Sequence, residues 1–521
     1  MYYNGKRVKQ NFSKAIFWYE KAASQDDLKS QFNLGVFYYQ GEIVEQNFSK
    51  AFYWFDKVAS KNNALAQNNL GVLYEKGQGV EQDLEKAFYW YEKSAKQGFA
   101  LAQNSLGLLY EYGRGVEQDS EKAFYWINQA TSQDYAEAQY NLGVLYEQGQ
   151  GIEQNFSKAF ELYQKAANQG YAEAQNNLGV LYEKGLGVIQ NFSKAFYWYR
   201  ESAKQDYVLA QNNLGVLYEK GIGITQDFIQ AYYWFRKAES QGLALAQHNL
   251  GVLYDRGEGV EQNFSKAFEL YQKATNQGCA LAQNNLGVLY EYGKGIEQNL
   301  EKAFYLYKEA TKQGCVDAQY NLAGMYLKGT GVEQNFSEAF YWYEKSAKQG
   351  KIESQNNLGV LYEKGQGVEQ NFSKALYWYR KAAIRGHQKS QYSLGILYEK
   401  GQGVEQDLLE AYYWYRKAAI QGYALAQFAL GTIYYKGKKV KQNFSKAYYW
   451  YRKAAIQGEK EAQYYLGIMY LKGQGVKQNF SKARKWFKKA ANQGHKVAKQ
   501  KLNRIYNTRL SIRRFRIEFS L

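Results

Sequence analysis

The sequence predicts an all-α, right-handed α/α superhelical solenoid of 36-residue helix-turn-helix repeats. The first observation is a Leu-Gly pair that recurs every 36 residues from Leu34-Gly35 to Leu466-Gly467, replaced once, at Leu322-Ala323. The second is a helical spacing of apolar residues on both sides of a recurring Gly-x-Gly turn. A fixed period of roughly 20–50 residues is typical of stacked supersecondary units. We therefore expect one core that continues from repeat to repeat, in place of separate globular domains.

Residues 64–98 show how one repeat is built. Leu70 and Leu73 lie on the apolar face of a first helix, which we name helix A. Gly77 follows its last turn, where a left-handed residue commonly ends a helix. Asp83 stands before the second helix, where its side chain is expected to cap the free N–H groups. The repeat is thus predicted to be two helices joined by a glycine-rich turn.

The second helix, helix B, carries a small residue and a large one at fixed positions. The small residue is Ala in all fourteen copies, from Ala15 to Ala483, which predicts close packing of helix A on helix B. The large residue accounts for all eleven tryptophans, from Trp18 to Trp486. Since this Trp column lies on the apolar stripe, we expect it to be buried in the core.

The period divides the chain into four parts. Residues 1–27 are a partial first repeat with helix B alone, 28–495 are thirteen tandem repeats, 496–507 are a closing helix, and 508–521 are a basic C-terminal tail. Because residues 2–5 align with the end of a helix A, the chain begins inside a repeat. We expect either that the natural chain starts earlier or that this end docks on another surface.

The repeat resembles the Sel-one-like repeat family, a group of α/α solenoids related to tetratricopeptide repeats. The resemblance rests on the pattern A-x-x-x-L-G-x-x-Y-x-x-G-x-G-V-x-x-[DN]-x-x-K-A-x-x-W-Y-x-K-A-A-x-x-G, which covers residues 1 to about 507. It implies a non-enzymatic scaffold or adaptor that assembles protein complexes. Some members carry paired cysteines in each repeat and are exported, and this chain lacks those pairs.

Helix A is expected to line the concave side of the solenoid, by analogy with related solenoids. The column of Asn68 is predicted to face outward there and to bind an extended segment of a protein partner. The alternative is that these side chains bridge to one another or to water. The neighbouring Glu75 column predicts a mildly acidic surface. The candidate concave residues are Asn68, Asn104, Tyr140, Asn176, Asn212, His248, Asn284, Tyr320, Asn356, Tyr392, Phe428 and Tyr464.

A second candidate surface is a column of tyrosines on helix B, on the side away from the invariant alanine. Lysines often follow four residues later, which suits cation–π contacts. The functional interpretation is a convex aromatic ribbon that contacts protein, glycan or nucleic acid. The alternative is Tyr–Tyr packing between adjacent repeats. The candidate ribbon residues are Tyr89, Tyr125, Tyr197, Tyr233, Tyr341, Tyr377 and Tyr413.

The net charge of +18 is concentrated at the C-terminal end. Residues 472–521 hold 15 lysines and arginines and one acid. A local positive field of this kind attracts nucleic acid, anionic membranes or acidic proteins. A solubilising cap followed by a disordered extension is the alternative. The candidate residues of this basic end are Lys499, Arg504, Arg513, Arg514 and Arg516.

Other classes of site have weak support in the sequence. His248, His387 and His495 lie in separate repeats, so no metal site or histidine-based catalytic group is predicted. The Gly-x-Gly turns follow a helix, whereas nucleotide-binding glycines follow a strand. The chain has no stretch of 18 apolar residues and no apolar signal-peptide core at its start. We expect a soluble chain without a transmembrane segment and without a cofactor, in no particular compartment.

These observations favour a scaffold that binds protein partners through extended solenoid surfaces and has no enzymatic activity. Two alternatives stay open at this stage. The basic C-terminal end could serve nucleic acid or anionic membrane, and the exposed tyrosine columns could serve glycan or peptidoglycan.

Overall fold

The computed structural model describes residues 11–437 and 439–503, and all the regular structure in these ranges is α-helical. The chain divides into two compact units, which meet in sequence between Asn263 and Phe264. The first unit contains α1 (Phe12–Ala23), α2 (Leu28–Gln40), α3 (Phe48–Ala59), α4 (Ala64–Lys76), α5 (Leu84–Lys96), α6 (Ala100–Tyr112), α7 (Ser120–Thr131), α8 (Ala136–Gln148), α9 (Phe156–Asn168), α10 (Ala172–Lys184), α11 (Phe192–Lys204), α12 (Val208–Lys220), α13 (Phe228–Ser240) and α14 (Ala244–Arg256).

The second unit repeats the same alternation of short helices. It contains α15 (Phe264–Asn276), α16 (Ala280–Tyr292), α17 (Leu300–Lys312), α18 (Val316–Lys328), α19 (Phe336–Lys348), α20 (Ile352–Lys364), α21 (Phe372–Ile384), α22 (Gln388–Lys400), α23 (Leu408–Ile420), α24 (Ala424–Lys436), α25 (Phe444–Ile456), α26 (Lys460–Lys472) and α27 (Phe480–Asn492). Residues 496–503 are also helical. Within the described ranges, no helix is long and apolar enough to cross a bilayer.

Helix A of each repeat is an even-numbered helix, and helix B is the odd-numbered helix that follows it. Within each unit, helix A packs against helix B of its own repeat and against helix B of the preceding repeat, as α4 packs on α5 and on α3. The core therefore continues from one repeat to the next. This arrangement confirms the all-α solenoid of 36-residue helix pairs that the period predicts.

Close packing of helix A on helix B depends on glycine as well as alanine. Ala87 is fully buried in α5, as the recurring alanine predicts. On α4, a Cβ atom at Gly71 would stand 2.6 Å from Cδ1 of Tyr91. The Leu-Gly pair thus contributes directly to helix packing, because Leu70 fills the core while Gly71 leaves space for the ring of Tyr91.

The ends of the helices follow the sequence signals. Gly77 adopts a left-handed φ of 65° and its N–H donates to the Leu73 carbonyl, which closes α4. The Asp83 side chain accepts a hydrogen bond from the N–H of Lys86 and caps α5. Gly79, with a φ of 72°, lies against the preceding repeat, where a Cβ atom would come within 2.3 Å of the Phe48 carbonyl carbon. The predicted helix stop and N-cap are confirmed, and the second glycine also has a role in stacking.

The Trp column departs from its predicted place in the core. Trp378 and Trp414 are buried, Trp18 is exposed, and the other eight are half-buried. The fully buried aromatic is the next residue along helix B, such as Tyr91, Tyr163 or Tyr199. Because that next residue points into helix A, the indole is left at the edge of the core.

A ladder of buried glutamines connects successive repeats. On α22, Gln391 is 2% exposed and its Nε2 donates to the Ala383 carbonyl of the preceding repeat, at 3.0 Å. Its Oε1 accepts from Nε2 of Gln421 at the end of α23, at 2.7 Å. Gln67 makes the same pair of contacts with Ala59 and Gln97. In these repeats, hydrogen bonds fix helix A to the helix B on either side of it.

Candidate interaction surfaces

The predicted concave column lies on helix A, but its polar members are buried. The exposed fraction is between 2% and 8% for Asn68, Asn104, Asn176, Asn212, His248, Asn284 and Asn356. The aromatic members are half-buried, namely Tyr140, Tyr320, Tyr392, Phe428 and Tyr464. The expectation that the asparagines point outward is therefore corrected.

The asparagines are buried because their amides connect neighbouring repeats. Nδ2 of Asn213 donates to Oδ1 of Asn176 in the preceding repeat, at 3.0 Å. Nδ2 of Asn176 in turn donates to Oδ1 of Asn177, at 3.1 Å. The same bond between repeats joins three further pairs, Asn141 to Asn104, Asn249 to Asn212 and Asn321 to Asn284. A direct role of this column in binding a partner stays a prediction.

The surface that helix A does present to solvent lies beside this column. We name it the helix-A face and define it by the columns of Leu65, Val72 and Lys76. Leu65 is 46% exposed, and Val72 and Lys76 lie seven and eleven residues further on the same side. Leucine recurs at the first position with 40–46% exposure in Leu65, Leu101, Leu209, Leu245 and Leu281. Leucine side chains are thus exposed to solvent at the same position in several repeats.

The acidic column on helix A has partners that the sequence analysis did not find. The hydroxyl of the buried Tyr379 donates to Oε2 of Glu363, sixteen residues earlier, at 2.6 Å. Burial, together with the hydrogen bond to Glu363, raises the pKa of Tyr379, so the phenol stays protonated and remains a donor. Five other repeats repeat the bond, in the pairs Tyr91–Glu75, Tyr163–Glu147, Tyr199–Glu183, Tyr307–Glu291 and Tyr415–Glu399. In the sequence, the signal for this bond is a Tyr that recurs sixteen residues after the Glu.

Two glutamates of this column lack the tyrosine donor, namely Glu219, whose counterpart is Phe235, and Glu111. The residue sixteen positions later is Ile127, which has no hydroxyl group to donate. Glu111 is 4% exposed, and its Oε2 has no hydrogen-bond partner among the described residues. Burial raises the pKa of this carboxyl, and a hydrogen bond from Ser120 partly offsets the rise.

The tyrosine ribbon on helix B is exposed and is organised within each helix. Its seven candidate residues, Tyr89, Tyr125, Tyr197, Tyr233, Tyr341, Tyr377 and Tyr413, are 44–53% exposed. Each ring meets the ring of the following Trp edge-on, with centroids 4.9–5.1 Å apart. Nζ of Lys93 lies 4.4 Å from the centroid of Tyr89 and 5.3 Å from that of Trp90. The contacts are therefore Tyr–Trp contacts within one helix, joined by a lysine in repeats such as that of Tyr89, and their role in binding stays a prediction.

The basic end is described in part. Lys499 is exposed, and lysines cover the outer side of α27 at Lys485, Lys488 and Lys489. Arg504, Arg513, Arg514 and Arg516 lie outside the described residues, as do residues 508–521 of the predicted tail. Nucleic acid or membrane as partners of this end stays a prediction. In the described ranges, no group of three or more His, Cys, Asp or Glu residues is placed to hold a metal ion.

Comparison with known proteins places the chain in a family. The Sel1 repeat model matches residues 1–27, 28–63, 64–99, 100–135, 136–171, 172–207, 208–243, 244–279, 280–315, 316–351, 352–387, 388–423, 424–459 and 460–495. A protective antigen of uropathogenic Escherichia coli with this repeat fold is 33% identical, with a TM-score of 0.62, over 86% of this chain and 97% of that protein. A Sel1 repeat protein from Oxalobacter formigenes is also 33% identical, with a TM-score of 0.44, over 59% of this chain and 90% of its own length.

A search among curated proteins gives no match. The family match nevertheless extends over all the repeats, and the solved relative from Escherichia coli has the same fold. Solenoids of this family generally act as scaffolds for protein–protein interaction. The chain therefore belongs to the Sel1 repeat family, as its repeat pattern indicates.

Proposed function

We propose that this chain is a non-enzymatic scaffold that binds protein partners along its helix-A face. The observation that carries the proposal is the column of exposed leucines. Leu65 and Leu101 stand in consecutive repeats, and so do Leu209 and Leu245. Neighbouring helices pack about 8–10 Å apart, so one extended partner segment can contact both leucines of a pair.

The surroundings of the first pair resemble a protein interface in composition. Val72 and Leu108 extend the apolar strip by two helical turns on α4 and α6, and both are half-buried. Lys76 stands at the end of this strip and is exposed. An apolar centre with a charged rim is the usual arrangement of a protein-binding patch.

The proposal is tested with a pair of double variants in the same two repeats. Leu65→Asp with Leu101→Asp changes the helix-A face, and Tyr89→Asp with Tyr125→Asp changes the helix-B ribbon. Partners are first recovered with the full wild-type chain by affinity purification and mass spectrometry. The purified partner is then titrated against each variant by calorimetry, after circular dichroism has shown native helix content.

We expect the leucine variant to weaken binding at least about tenfold, because each leucine loses the burial of an apolar side chain. The tyrosine variant is expected to bind as the wild type does. The reverse pattern, or equal affinities for all three proteins, would show that the helix-A face is not the binding surface.

A further inference from the structure

A cavity opens on the helix-A face of the second unit, between α22 and α24. We propose that it takes an aromatic or large aliphatic side chain from an acidic segment of a partner protein. This inference rests on the proposed function and specifies the kind of partner segment that binds at this cavity. The cavity has a volume of about 510 Å³, which is within the roughly 300–1,000 Å³ range of sites that hold small organic groups.

One residue in the cavity wall departs from the repeat. Ala429 lies in its wall, and nine of the other repeats have Asn at this position, for example Asn177 and Asn357. The equivalent hollow between α18 and α20 retains Asn357 and has a volume of about 280 Å³. Loss of the amide side chain at position 429 therefore coincides with the larger cavity.

The larger cavity has aromatic walls. The rings of Tyr392 and Tyr415 lie 5.6 Å apart, and Phe428 also lines the cavity. Ala411 is 1% exposed and also lines the cavity. None of these positions has an equivalent among the residues that line the smaller hollow. A wall of this composition favours burial of a flat apolar group, which gains stacking in addition to the hydrophobic effect.

The charged residues at the mouth of the cavity determine which partner residues are favoured on either side of the inserted side chain. Lys400 and Lys436 are exposed there, and neither forms an ion pair with any described residue. Glu399 accepts the hydroxyl of Tyr415, and Tyr435 replaces the acid that the next repeat would otherwise supply. The mouth thus has two unpaired cations against one carboxylate, which attracts acidic residues on either side of the inserted side chain.

The probe is a blocked five-residue peptide, Asp-Glu-fluorotryptophan-Glu-Asp, whose signal is followed by fluorine NMR during titration with the full chain. Two control peptides replace fluorotryptophan by fluoroalanine or the four acids by lysine. Ala429→Asn is the main variant. The chain already places Asn177 beside Tyr140 and Asn357 beside Tyr320, so this substitution has two precedents in the same fold.

We expect saturable binding of the acidic tryptophan peptide and at least about tenfold weaker binding of both control peptides. Ala429→Asn is expected to weaken binding about tenfold, because the amide side chain fills the space of the ring. Lys400→Gln with Lys436→Gln is expected to weaken it about threefold and to flatten its salt dependence. Ile384→Asn, at an exposed residue of α21 that does not line the cavity, is expected to change nothing.

Equal affinity of wild type and Ala429→Asn would overturn the inference, and so would preference for the lysine peptide. These results differ from a failure of the proposed function. If a natural partner depends on Leu65 and Leu101 while Ala429→Asn leaves the peptide affinity unchanged, the scaffold role stands and the cavity has no such ligand. If the acidic tryptophan peptide binds and Ala429→Asn weakens it, while no natural partner depends on Leu65 and Leu101, the cavity has its ligand and the proposed function fails.

Discussion

At the scale of single residues, the acidic column of helix A shows how a change at one position alters the environment of another. Glu363 has Tyr379 as its hydrogen-bond donor, whereas Glu111 faces Ile127 and keeps an oxygen without a partner. An ionised carboxylate is costly to bury without hydrogen bonds. The cost falls on the folded state alone, because the unfolded chain exposes Glu111 to water.

Replacement of Glu111 by glutamine is expected to stabilise the protein near neutral pH. Because burial raises the pKa of Glu111, the folded state holds the proton more tightly than the unfolded chain. Stability therefore falls as the pH rises through the raised pKa. We expect Glu111→Gln to raise the Tm by about 2 °C or more at about pH 7 and to leave it unchanged at about pH 4. Glu117→Gln, an exposed acid of the same repeat, is the control and should change neither value.

The residue scale is also where sequence interpretation failed most clearly. Asn176 and Asn177 are adjacent polar residues, and the periodicity could not say that Asn176 accepts a hydrogen bond from Asn213 of the next repeat while Asn177 accepts one from Asn176. Size and register predict that the Trp column lies in the core, although the neighbouring column of Tyr91 holds that position. Both errors have one cause, since a difference of one residue on a helix turns a side chain by about 100°.

At the scale of elements, the sequence predicted the helices and their ends because each signal is local. Asp83 caps α5 and Gly77 closes α4 through hydrogen bonds within a few residues. Packing between helices is harder to predict, because it depends on how the side chains of one helix fit against the surface of another. The Leu-Gly pair was recognised as a marker of the repeat, but its steric role appears only when Tyr91 is placed against Gly71.

Alanine substitutions at two glycines of the second unit can distinguish this steric role from the effect of helix propensity. A Cβ atom at Gly359 would stand 2.6 Å from Cδ1 of Tyr379, whereas one at Gly324 would stand 3.6 Å from the hydroxyl of Tyr343. We expect Gly359→Ala to destabilise α20 and α21 by about 1–3 kcal/mol through overpacking. Gly324→Ala should be neutral or stabilising by up to about 1 kcal/mol, since alanine is the better helix former.

Hydrogen exchange with peptide-level mass spectrometry measures both effects locally, which suits a solenoid because its repeats need not unfold together. Faster exchange in α20 and α21 is expected for Gly359→Ala alone. If both alanine variants exchange alike, the close contact with the Tyr379 ring is not what selects glycine.

At the scale of the whole chain, stability depends on how strongly each repeat is coupled to the next. The glutamine ladder is a recurrent polar part of that coupling, since a buried glutamine such as Gln391 joins a carbonyl of the preceding helix B to a side chain at the end of the following one. In a solenoid, such contacts between neighbours determine whether repeats unfold together or separately. The sequence contains the columns of Gln67 and Gln97, but their separation of 30 residues hid the pairing.

Gln391→Leu should uncouple the repeats on either side of it. The variant removes two hydrogen bonds between repeats, one to the Ala383 carbonyl, which keeps the N–H of Gly386, and one from the exposed Gln421 amide. Their loss costs about 1–3 kcal/mol. Because the loss falls on the contact between repeats, we expect urea unfolding, followed by circular dichroism, to broaden or to separate into two transitions. Gln370→Leu is the matched control, because Gln370 is exposed and donates only within its own repeat, to the Glu363 carbonyl. A transition that stays as sharp in Gln391→Leu as in Gln370→Leu would mean that apolar packing alone couples the repeats.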